Sequence, residues 1–155
     1  MRHASALILP LLVWLTAACA GDGADVGYSA FRAIPAEGWR YTDTLEFAVT
    51  ALPGADSAAM RGDVVVCVRH SDAYPYSNLW LELEAPDGRR WRRDVELADV
   101  FGTWHGRGMG LTFEHSDTLL RGLELAPGDT LRLHHCMRVD TLEAIEQVGL
   151  FFLTR

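Results

Sequence analysis

Short runs of alternating apolar and polar residues, cut by Gly and Pro turns, dominate this 155-residue sequence. Leu45, Phe47, Val49 and Ala51 alternate with Glu46, Ala48 and Thr50, and three consecutive valines open the run at residues 64–70. Leu79, Leu81 and Leu83 alternate with Trp80, Glu82 and Glu84, and Trp91, Arg93, Val95 and Leu97 alternate with Arg92, Asp94 and Glu96. A period of two places successive side chains on opposite faces of an extended chain, so these runs predict strands with one buried face. Pro86-Asp87-Gly88 between two of them predicts a β-hairpin. Further strands are expected near residues 110–114, over 119–125, over 130–139 and over 148–153, with one helical turn at 140–146. No long helical period appears. With 49% hydrophobic residues to fill a core, about seven to eight short strands predict an all-β fold, an antiparallel β-sandwich.

The first 19 residues are of a different kind. Arg2 and His3 precede an apolar run at residues 6–15, broken only by Pro10, and Thr16-Ala17-Ala18 stand directly before Cys19. Such a run is short for a membrane span, and small residues before a cleavage point mark a secretory signal. A Cys at that point predicts a bacterial lipoprotein signal, with Cys19 as the lipidation site. Thr16 stands where Leu is usual, with Leu15 one place further back; a plain signal peptide is the alternative. The expected organisation is a cleaved signal peptide at 1–18, a lipidated Cys and flexible tether at 19–27, and one β-sandwich domain at 28–155. The expected location is the cell envelope, lipid-anchored to a bacterial membrane.

Charge excludes one class of partner. Twenty-one acidic residues stand against 14 basic ones, a formal net charge of −7. Nucleic acid binding rests on neutralising phosphates, so no nucleic-acid partner is expected. All the basic residues are Arg, which suits a genome rich in G and C better than a dedicated anion site.

Cys67 and Cys136 remain once Cys19 is set aside, and export would put them in an oxidising compartment. Val64, Val66 and Val68 share one face, which leaves Cys67 and Arg69 on the other; Leu131, Leu133 and Met137 likewise leave Cys136 and Arg138 opposite. If the two strands are neighbours the thiols meet, and a Cys67–Cys136 disulfide is expected; two free thiols on separate strands are the alternative. A metal site from His134, His135 and Cys136 is not expected, because adjacent strand residues point to opposite faces.

No catalytic residues emerge. His70, Ser71 and Asp72 are consecutive, whereas a triad converges from separate segments, and no nucleophile elbow, zinc-protease helix or phosphate loop is present. Glu82 and Glu84 share a strand face at a spacing a glycosidase would tolerate, but solvated carboxylates are the plainer account. No cofactor is implied. The aromatics offer more. Trp80 lies off the Leu stripe, Trp104 stands in the Gly-rich stretch 102–110 beside His105 and Arg107, and Tyr74-Pro75-Tyr76 leads to Asn78. Loop aromatics on a sandwich anchor protein partners or stack on sugars, and they also plug cores. The candidate partner-binding residues are Tyr74, Tyr76, Asn78, Trp80, Trp104, His105 and Arg107.

Val68-Arg69-His70, residues 74–80, residues 102–110, Cys136-Met137-Arg138 and residues 142–150 stand in that order over the last two-thirds of the chain. Together these blocks resemble the gliding motility lipoprotein GldH family. The departures are the altered signal motif, Cys67 and Cys136, and Ala144 where the family pattern leads one to expect Gly. The resemblance implies a membrane-anchored, non-enzymatic accessory of the gliding machinery, tied to type IX secretion, whose partners are envelope proteins. It supplies no catalytic residues. A carbohydrate-binding β-sandwich using Trp80, Trp104 and the Tyr74–Tyr76 loop is the rival.

Overall fold

A computed structural model describes residues 24–54 and 58–154. Cys19 and the predicted signal peptide lie outside the described residues. Among them are eleven strands: β1 (Asp25–Ala33), β2 (Trp39–Arg40), β3 (Leu45–Ala48), β4 (Met60–Ser71), β5 (Asn78–Glu84), β6 (Arg90–Glu96), β7 (Arg107–Met109), β8 (Thr112–Leu125), β9 (Thr130–His135), β10 (Thr141–Leu142) and β11 (Ile145–Thr154). Three of these are fragments of two or three residues (β2, β7, β10); of the eight longer strands, β1 lies outside the runs that alternation picks out.

All pairings are antiparallel, and they build a five-stranded sheet, β1-β11-β4-β8-β7, and a four-stranded sheet, β3-β9-β5-β6. The small β10-β2 ladder lies beside them. The inner faces hold the expected apolar stripes. Val64, Val66 and Val68 of β4 and Val148, Leu150 and Phe152 of β11 are fully buried, as are Leu79 and Leu81 of β5 and Leu133 of β9. Fully burying one such side chain contributes roughly 1.5–3 kcal/mol, so the two inner faces hold the sheets together.

The β5–β6 hairpin forms as predicted, its turn closed by Gly88 N–H donating to the Ala85 carbonyl at 2.9 Å with Gly88 at φ +83°. Three local expectations fail. The strands expected near 110–114 and over 119–125 are one strand, β8, bent by two register shifts against β4. Gly122, at φ +69°, sits by one of these shifts, its N–H donating to Asp63 Oδ1 at 2.9 Å. The strand expected over 130–139 stops at His135. The helical turn expected at 140–146 is instead β10, paired to β2, followed by Ala144 in the left-handed region. Strand β1 also begins at Asp25, inside the segment expected to be tether.

The pairings sort the connections between two ends. Asp25 pairs with Thr154, Gly62 with Thr154 and Met60 with Leu125, so chain entry and the 126–129 turn share one end. Ser71 pairs with Thr112 and Asn78 with Glu96, so segments 72–77, 97–106, 110–111 and 136–144 share the other.

Ala144 explains one departure from the family pattern. Among the described residues it is the non-Gly residue with positive φ, 65°, and its carbonyl accepts from Ser71 N–H at 2.9 Å. A Cβ in this conformation costs roughly 1–2 kcal/mol, partly offset by the entropy a glycine loses on folding. Ala144→Gly should therefore stabilise the protein by about 0.5–1 kcal/mol, read as a higher urea midpoint at unchanged m-value; a lower midpoint would refute the strain.

Candidate functional site

Even-numbered residues of β5, β6 and β9 form the outer face of the four-stranded sheet, and they carry a ladder of ion pairs. Arg92 Nε meets Glu82 Oε2 at 2.6 Å, Arg90 meets Glu84 at 2.6 Å and Glu82 Oε1 at 3.7 Å, and Arg132 bridges Glu46 at 3.0 Å and Glu84 at 3.4 Å. His134 Nε2 lies 3.4 Å from Glu82 Oε1. Glu82 is 7% exposed, not the solvated carboxylate that the sequence suggested. The Arg92 hydrogen bond holds its carboxyl below the ordinary carboxylate range, against the opposing effect of burial. A carboxylate held ionised in this way is not itself a proton donor.

At the loop-bearing end this face opens into a recess of about 650 Å³ lined by Tyr76, Asn78, Trp80, Arg92, Cys136, Met137, Arg138 and Val139. Trp80 is 42% exposed there. Its backbone N–H donates to Met137 Sδ at 3.3 Å, and Asn78 Nδ2 donates to Asp94 Oδ1 at 2.7 Å. Three of the seven predicted partner-binding residues, Tyr76, Asn78 and Trp80, thus share one concavity.

Tyr74 and Trp104 do not join them. Tyr74 is buried, its hydroxyl donating to the Asn78 carbonyl at 2.9 Å, and burial pushes its pKa above the accessible range. Trp104 is half-buried against the core, with its ring 4.5 Å from His70, 6.4 Å from Tyr74 and 6.0 Å from Phe113. These rings cap the end of the sandwich, so Trp104 is a plug rather than a free anchor. His105 and Arg107 lie toward the five-stranded sheet. His105 Nε2 is 2.9 Å from Glu96 Oε1, and Arg107 borders a separate cavity of about 390 Å³ with Arg69, Glu114 and Glu146.

The expected disulfide is absent: Cys67 and Cys136 are both free. Their parity is as predicted, each on the outer face of its strand. But Cys67 belongs to β4 in the five-stranded sheet, and Cys136 follows β9 in the four-stranded sheet. The two outer faces look in opposite directions, with the core between them.

Cys136 has other neighbours. One donor atom each from Glu82, His134 and Cys136 lie within 4.8 Å of one another. His134 and Cys136 are two apart on one face, and Glu82 stands directly opposite His134 in the register. The Cys136 N–H donates to the Trp80 carbonyl at 2.8 Å, which keeps it in line with β5 beyond the end of β9. His135, excluded on strand parity from a site with His134 and Cys136, points inward, fully buried, its Nε2 3.0 Å from the Trp39 carbonyl. The i, i+2 spacing of His134 and Cys136 was visible in the sequence, but the Glu82 register was not.

Buried His70 and His135 make stability depend on pH. Each has one ring nitrogen bonded to a carbonyl (His70 Nδ1 to Ser71, His135 Nε2 to Trp39) and the other buried without a partner. Burial lowers both pKa values below 6.5. Near pH 8 both states are neutral and the groups contribute nothing to the slope. As pH falls through about 6.5, the unfolded chain takes up protons that the folded one refuses, so unfolding gains. Thermal melts should show the melting temperature falling from pH 7 to pH 5, with uptake of up to about two protons on unfolding. A His70→Gln, His135→Gln variant with the same pH slope would contradict this assignment.

Loss of the Trp104 ring should open a cavity and cost about 3 kcal/mol, whereas Trp80→Ala should cost under about 1 kcal/mol. Chemical denaturation of both variants measures the difference, and equal losses would refute the distinction between plug and exposed ring.

Comparison with known proteins adds three findings. No curated protein sequence matches. The fold is similar to an exo-β-1,3-galactanase from Phanerochaete chrysosporium, solved with galactose, at 10% identity and a TM-score of 0.40, covering 83% of this chain and 27% of that one. It is also similar to CBM35 from Cellvibrio japonicus Abf62, at 11% identity and a TM-score of 0.36, covering 79% of this chain and 92% of that one. This chain thus spans about a quarter of the galactanase's length. The GldH lipoprotein model matches residues 26–151, almost the whole double sheet, and the chain belongs to the GldH lipoprotein family.

Proposed function

We propose that this protein is a non-enzymatic lipoprotein of the cell envelope, anchored to a bacterial membrane through Cys19, which serves the gliding motility and type IX secretion machinery by docking an envelope protein. The observation that carries this reading is a pair of apolar tips at the loop-bearing end. Val100 is 93% exposed, Phe101 91%, Met109 88% and Leu111 69%. The first tip is held in shape, because Asp99 Oδ1 accepts from the N–H groups of Phe101 and Thr103, each at 2.9 Å. Trp104 and Phe113 tie the two tips together through their ring contact. Large apolar side chains held out in water on a fixed loop mark an interaction surface.

The direction of the chain supports the same reading. Strand β1 starts at the end opposite the tips. An acyl anchor at Cys19 would therefore hold the entry end near the bilayer and turn the tips away from it. Each buried CH₂ of an acyl chain contributes about 0.8 kcal/mol, so two or more chains hold without a basic patch.

A second reading has its own observation: the recess sets Tyr76 and Trp80 beside Asn78, Arg92 and Arg138, a mixture of ring faces and hydrogen-bonding groups suited to a sugar. The two readings separate by substitution. In crosslinked envelope extracts, Phe101→Ser with Met109→Ser should lose the captured protein at unchanged melting temperature, since interface anchors are worth about 2 kcal/mol or more each. Trp80→Ala should keep it. If capture survives in the tip variant while Trp80→Ala loses binding on a glycan array, the recess reading replaces the docking one.

A further inference from the structure

The geometry points to a zinc-type metal site on the outer face of the four-stranded sheet, with Glu82, His134 and Cys136 as its three protein ligands. A tetrahedral Zn²⁺ with ligand bonds of about 2.0–2.3 Å needs its donors roughly 3.3–3.8 Å apart. Glu82 Oε1 and His134 Nε2 are already 3.4 Å apart, and the whole donor set lies within 4.8 Å. Ordinary torsion of the Cys136 side chain closes the remainder. The backbone needs no change, because His134 is fixed against β5 by the register and Cys136, just beyond β9, by its N–H bond to Trp80.

The surroundings are those of a supported ligand set. Metal-binding carboxylates are held by outer-shell hydrogen bonds that aim them. Here Arg92 occupies Glu82 Oε2 at 2.6 Å, which leaves Oε1 facing His134. Arg90 is the nearest further cation, and it is drawn to Glu84 at 2.6 Å, against 3.7 Å for its approach to Glu82. A carboxylate and a thiolate would neutralise the dication, so the site would not add charge to the ladder. The mixed S, N and O donor set selects Zn²⁺ over Ca²⁺ or Mg²⁺, which take oxygen alone.

Three protein ligands leave one position vacant in a tetrahedron, the arrangement of sites that hold water or an incoming ligand. Cys136 also lines the recess, so that position would face the space bordered by Trp80, Asn78 and Arg138. Zn²⁺ binds Cys as the thiolate, so a proton leaves on binding and affinity should weaken as pH falls from 8 to 6.

The experiment uses the full chain, purified in detergent and stripped of metal, titrated with Zn²⁺ against a chromophoric chelator and separately with Co²⁺. One equivalent of Zn²⁺ should bind with Kd below about 1 μM and raise the melting temperature. Co²⁺ should give a thiolate charge-transfer band. Cys136→Ser and His134→Ala should each weaken Zn²⁺ at least 100-fold, Glu82→Gln at least the roughly 10–100-fold that losing an outer-shell partner costs, and Cys67→Ser should change nothing. Matching circular dichroism and metal-free melting curves would show that the variants fold. Three results would overturn the site: no binding tighter than about 100 μM, binding that survives Cys136→Ser, or Co²⁺ bound without the thiolate band. This titration needs no partner protein, so its failure would leave the docking proposal untouched.

Discussion

Strand β4 is the element on which the rest of the structure depends. It pairs along its length with β8 on one side and β11 on the other, and its Val64, Val66, Val68 and His70 are fully buried. These side chains pack into a core whose opposite wall is Leu79, Leu81, Leu83, Leu131 and Leu133. Because side chains alternate along a strand, fixing that inner stripe also fixes what lies outside. Cys67 and Arg69 must look outward from β4, and Arg69 meets Glu114 of β8 there at 2.8 Å. Cys67 stays only 4% exposed between its neighbours β8 and β11, and burial raises its thiol pKa, which leaves it inert compared with a thiolate.

What alternation alone determines was legible in the sequence: the apolar stripes, the β5–β6 hairpin, the double-sheet class and the face of each cysteine. What depends on which strands lie side by side was not. Cys67 and Cys136 show the difference. Their parity was read correctly, yet the inferred bridge fails because parity says nothing about which sheet a strand joins. Glu82 and His134 show it from the other side, since their register puts them directly opposite although 52 residues separate their numbers. Trp104 was ambiguous for the same reason, because its burial comes from His70 and Phe113 on β4 and β8. The split reading of β8 had a local cause: the register shifts between Thr118 and Leu120, and a bulge breaks the period of two.

The Arg-rich outer ladder contributes geometry more than stability. Exposed ion pairs are worth about 0.2–1 kcal/mol each, and the Arg side chains here are 42–67% exposed. Glu82 differs, with its side chain 9% exposed, because a carboxylate taken from water needs partners to offset its desolvation. Arg92 provides that partner on one oxygen only. Removing Arg92 would therefore free the carboxylate to turn as well as weaken its pairing, and the direction in which Glu82 presents Oε1 would be lost before the fold was.

The two proposed activities occupy different parts of one rigid scaffold. The apolar tips stand on connections at the end of the double sheet, where chain irregularity is cheap and substitutions leave the core alone. Glu82 and His134 stand on paired strands, and the Cys136 N–H bond to Trp80 holds the residue just beyond β9 in line with β5. A docking surface tolerates the first environment and a metal site needs the second. Tyr74 links the regions physically: its ring packs against Tyr76 of the recess at 5.6 Å and against Trp104 at 6.4 Å.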